Sequence, residues 1–85
     1  MDPTIVERRR DAFARHIETL APPSPELSNR LNELRAASPM QIAAYARANL
    51  VPHRDRLADY VSEQFGGPPD EKSILFLKYF ISLAD

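Results

Sequence analysis

The 85-residue chain has no cysteine, only two glycines and two histidines, and no long hydrophobic run. Without cysteine there is no disulfide framework, no thiolate zinc site and no cysteine nucleophile. The glycines, Gly66 and Gly67, are adjacent and run into Pro68 and Pro69. They do not form a phosphate-cradling loop that leads into a Walker-type lysine. His16 and His53 stand apart, outside any local ligand spacing such as His-x-x-x-His, so no metal site and no cofactor are expected. The longest apolar stretch, residues 74–83, is interrupted by Lys78 and Ser82. It is about half of the roughly 20 residues a membrane span needs. Residues 1–4 show no basic region followed by an apolar one, so no secretory signal is expected and a cytoplasmic location is.

What is present is ordinary for a folded chain. Hydrophobic residues make up 44% and charged residues 27%, and the net charge is −1. That balance excludes a disordered or polybasic protein, and the length fits one small domain over residues 1–85. The charge is unevenly spread: nine arginines face seven acids over residues 1–56, and two lysines face five acids beyond.

Eight prolines divide the chain, and between them apolar residues recur at helical spacing. The pattern predicts an all-α bundle of about five short helices, over residues 4–20, 25–36, 39–48, 52–65 and 70–83. Ser24-Pro25-Glu26 combines an N-cap serine, a proline at the first helical position and an acid in the first turn. Ser38-Pro39 repeats the device, and Gln41 completes a capping box. Val6, Phe13, Ile17 and Leu20 form the first buried stripe. Leu27, Leu31 and Leu34 form the second; Met40, Ala43, Ala46 and Leu50 the third, with Tyr45 at its flank. Leu57, Tyr60, Val61 and Phe65 form the fourth. At Pro52 a break is expected after an αL Asn49, with a kinked continuous helix as the alternative. Residues 73–83 are rich in β-formers, but the acid-rich start and the helical context favour a helix over a strand.

Three groups of side chains are candidates for function. The final helix has eight apolar residues of ten over residues 74–83, distributed all round it. Such a helix is either central to its domain or shared with a partner, and Leu75, Phe76, Tyr79 and Phe80 are the interface candidates. Arg8, Arg9 and Arg10, with Arg15, form the densest basic run. Pairing of Glu7 with Arg10 and of Asp11 with Arg15 is expected to offset their charge, and phosphate or an acidic partner is the ligand they suit. Asp55, Asp59 and Glu63, at i, i+4 and i+8, form an acidic ridge suited to a basic partner.

Other motifs carry little. His53-Arg54-Asp55 matches the start of a kinase catalytic loop, yet the chain has no room for the rest of a kinase. Ser24-Pro25, Ser38-Pro39 and Pro22-x-x-Pro25 are explained by helix capping and an interhelical loop. A helix-turn-helix over residues 38–65 is formally possible, but its second helix turns acidic where base and phosphate contacts need cations or amides. The sequence therefore points to a non-catalytic protein-interaction module: an adaptor, a regulatory subunit, or a small inhibitor of the kind phages and mobile elements encode. It would bind a protein partner or another copy of itself, away from membranes. The alternative is a small DNA-binding transcriptional regulator that uses the arginine-rich first half.

Overall fold

A computed structural model describes residues 2–66 and 68–85. All the elements are helical, and no strand occurs among the described residues. Helix α1 spans Pro3–Leu20, α2 Pro25–Ala36, α3 Pro39–Tyr45, α4 Leu57–Phe65 and α5 Glu71–Ala84. A π-helical turn, Ala46–Leu50, and a 3₁₀ stretch, Val51–Arg56, join α3 to α4. No described helix is long and apolar enough to cross a membrane.

Local chemistry sets most boundaries. Asp2 caps α1 by accepting from the Thr4 N–H at 2.9 Å, with Pro3 at the first position. Ser24 accepts from the Leu27 N–H at 3.0 Å to start α2. The capping box at α3 has both arms: Gln41 N–H to Ser38 Oγ at 3.1 Å, and Ser38 N–H to Gln41 Oε1 at 2.8 Å. Asp70 caps α5 through the Ser73 N–H at 3.1 Å. Each cap satisfies a donor that the first helical turn leaves free. Gly66, at φ 72°, closes α4 in the left-handed region, its N–H bonded to the Ser62 carbonyl at 3.1 Å. Gly67, expected as the other half of that terminator, lies outside the described residues.

The segment around Pro52 departs from the expected break and is nearer the kinked alternative. Asn49 is not left-handed, and Val51, directly before the proline, keeps helical angles of φ −57° and ψ −45°. The Val51 N–H reaches back five residues to the Ala46 carbonyl. This wider turn spares the chain the clash that proline makes with the carbonyl four residues earlier. Helicity therefore passes through Pro52. It fails at His53 (φ −112°, ψ 19°) and at Arg56 (φ −136°, ψ 40°), so α4 starts at Leu57.

One cluster of buried side chains runs through the bundle. Phe13 is its hub: its ring lies 5.5 Å from Phe65, 5.4 Å from Phe76 and 5.7 Å from Phe80, edge-on or tilted. Val6, Ile17, Leu31, Leu50 and Val61 complete the most buried layer. Leu20, Leu34 and Phe65 are half-buried at its edge. Met40 does not join the core and is 80% exposed. Ile42 and Ala43 of α3 and Ala46 and Leu50 of the π-helical turn are buried, which leaves Met40 on the outer side of the first turn. Ala46 is fully buried and lets this segment pack close to its neighbours.

Candidate functional site

Helices α1 and α5 lie antiparallel, as three cross-pairs show. His16 Nε2 meets Asp70 Oδ2 at 2.8 Å, Phe13 packs on Phe76, and the Arg9 guanidinium sits over the Tyr79 ring, 4.6 Å from its centroid. This arrangement brings two of the sequence-predicted groups onto one surface. Arg8, Arg9, Asp11, Ala12, Arg15 and Phe76 line a shallow depression between the helices. Exposed Ile5 lies one turn before Arg8 and Arg9 on the same helical face. Exposed Lys72 lies one turn before Phe76 on α5.

The basic run divides by role. Arg10 Nε pairs with Asp11 at 2.9 Å, while its Nη1 donates to the Ala37 carbonyl at 2.7 Å. Its side chain is 14% exposed, and it ties α1 to the C-terminal end of α2. Arg10 therefore supports the fold and leaves the proposed anion-binding set. The expected pairs of Glu7 with Arg10 and of Asp11 with Arg15 do not form. Asp11 is taken by Arg10, so Arg8, Arg9 and Arg15 have no carboxylate partner among the described residues. The face is more cationic than the order of charges along the chain implies.

The final helix also divides. Phe80 is 3% exposed and lies in the core with Leu77 and Ile81, so it is removed from the interface candidates. Phe76 and Tyr79 are half-buried, with one side on the core and the other at the surface. Leu75 is 56% exposed and shares a helical face with Tyr79.

The acidic ridge does not exist as a continuous feature. Asp55 belongs to the 3₁₀ stretch, and the non-helical Arg56 separates it from Asp59 and Glu63 on α4. Cations also stand among these acids. Arg54, Arg56 and Lys78 share a depression with Asp55 and Asp59, and Arg56 shares another with Asp59 and Glu63. No three metal-ligating side chains converge among the described residues.

Asp70, the N-cap of α5, meets His16 of α1 at one end of the α1–α5 contact. Burial pushes its pKa up, but hydrogen bonds from Ser73 and the His16 contact outweigh this, so it lies below its ordinary value.

A deeper site has no counterpart in the linear pattern. A chiefly apolar cavity of about 250 Å³ opens between the helices, and its mouth holds Arg30, Glu33, Gln41 and Tyr45. Its lining comes from all five helices and the π-helical turn, and no local spacing announces it.

No protein-family model, curated protein or solved structure matches this chain.

Proposed function

We propose that the protein is a non-catalytic interaction module that docks an acidic protein segment on the α1–α5 face. The observation that supports this is the joining of Arg8, Arg9 and Arg15, free of carboxylate partners, to the exposed sides of Phe76 and Tyr79. Arginine and aromatic side chains are the residue types that most often dominate binding energy at interfaces. Here the guanidinium groups would meet carboxylates while the rings and Leu75 cover apolar side chains between them. A homodimer through this face is disfavoured, because a two-fold interface pairs the same patch from both copies and would set one cationic surface against another.

Capture from a nuclease-treated extract tests the reading. The wild type should retain an acidic partner that an Arg9→Glu/Arg15→Glu variant with an unchanged circular dichroism spectrum loses. Equal retention by both proteins would show that this face is not the docking surface.

The same unpaired arginines support the second reading, a small DNA-binding regulator. Duplex binding would then weaken steeply with added salt as counterions are released. Only three arginines and Lys72 lie on the face, and exposed Asp59 and Glu63 make α4 a poor recognition helix. Both features favour the protein partner.

A further inference from the structure

The cavity beneath the mouth of α2 and α3 is independent of the α1–α5 face. Its floor is Phe13, Leu50, Leu77 and Phe80, which are 1%, 1%, 2% and 3% exposed. These side chains, with almost no accessible surface, close the bottom of the cavity. At about 250 Å³ it is larger than the roughly 150 Å³ apolar cavity that takes up benzene. Side chains around an empty apolar void forgo dispersion contacts, and water has little to bond to there, so a fitting hydrocarbon is favoured.

Polar groups gather at one end only. The Tyr45 and Tyr60 hydroxyls are hydrogen-bonded to each other. Two phenols in one hydrogen bond share one proton, leaving the second free to donate, and neither oxygen has another partner among the described residues. Arg30, on the same rim, donates from Nη1 to the Gln64 side chain at 2.9 Å. A neutral amide leaves its charge uncompensated and most of its donors free. Its field reaches the phenol: burial pushes the Tyr45 pKa up, and Arg30 draws it partly back. Glu33 is the one acid on the lining and opposes Arg30.

We propose that this cavity binds a small apolar carboxylate, its ring or short hydrocarbon chain on the Phe13–Leu77 floor and its head group at Arg30 and the Tyr45–Tyr60 hydroxyls. The size admits a single ring with a short side chain. The free phenolic proton and the guanidinium demand an acceptor, and the positive charge selects an anionic one.

Phenylacetate and hexanoate are the probes, with toluene as the neutral control, followed by methyl and amide NMR on the full chain. Both acids should give saturable shifts at Ile42, Leu50 and Leu77 and raise the melting temperature. Arg30 is exposed, so Arg30→Gln should stay folded and weaken phenylacetate at least about tenfold while leaving toluene unchanged, the loss of one charged hydrogen bond. Glu33→Gln should tighten phenylacetate. Shifts that grow without saturation, or no shifts at the floor methyls, would overturn the proposal. Equal phenylacetate affinity in wild type and Arg30→Gln would overturn it too, since the cavity would then hold hydrocarbon without reading the carboxylate.

Discussion

Four neighbouring arginines have two different fates, decided by contacts that lie far off in sequence. Arg10 meets the carbonyl of Ala37, 27 residues away, and no local spacing could have shown it. Arg10→Ala should therefore destabilise the protein by on the order of 1.5 kcal/mol, the worth of a charge-assisted bond to a partly buried carbonyl. Arg8→Ala, Arg9→Ala and Arg15→Ala should stay within about 0.5 kcal/mol in the same urea titration. Equal costs at all four positions would contradict the division. Gly66, at φ 72°, has open space around it, so only the backbone penalises a side chain there. Gly66→Ala should cost about 1–2 kcal/mol, and Gly66→Asn less, because asparagine tolerates the left-handed region. Asp70 gives a pH dependence. Its pKa is lowered in the fold, so its stabilising effect is full above the ordinary carboxylate range and fades as pH falls through the folded value. Asp70→Asn should be weaker than wild type at neutral pH, and the gap between their urea midpoints should close in acid. A gap that is constant with pH would show that the carboxylate's charge plays no part.

At the scale of elements, the helix starts were legible because capping is local chemistry. Ser24-Pro25 and Ser38-Pro39-Met40-Gln41 specify their helices within four residues, and the hydrogen bonds fall where those residues put them. Pro52 was not legible, because the bias against helical geometry before proline is modest and Leu50, 1% exposed, anchors the segment in the core. Packing overrode the local preference and moved the break to His53 and Arg56. Amide exchange reports this directly. Residues 53–56, exposed and held only by a kinked 3₁₀ stretch, should exchange much faster than the middle of α5. Protection that continues through His53 would show an unbroken helix instead. Of the stripe Met40, Ala43, Ala46 and Leu50, only Met40 is exposed, while Ile42, off that stripe, is buried; the position of the neighbouring helices, not local spacing, decides both.

For the whole molecule, the apolar excess of α5 has a structural explanation. Leu77, Phe80 and Ile81 fill the centre, Phe76 and Tyr79 straddle core and surface, and Leu75 alone stands well out. The helix is thus both central and available, which the sequence posed as alternatives. Phe13 draws three other rings around it from α4 and α5, so Phe13→Ala should cost roughly 3–5 kcal/mol and broaden the unfolding transition. The all-α architecture was legible from proline punctuation and apolar spacing. The joining of arginines to aromatics was not, because it depends on α1 and α5 lying antiparallel across a chain separation of some 60 residues. The 250 Å³ cavity is likewise a property of the assembled bundle. If the cationic, aromatic α1–α5 face is the docking surface, side-by-side capture with wild type and Arg9→Glu/Arg15→Glu shows it most directly. An acidic protein should be bound by the first and absent from the second, with both proteins equally folded. The same proteins on both, or an interaction that disappears when nucleic acid is digested, would contradict it.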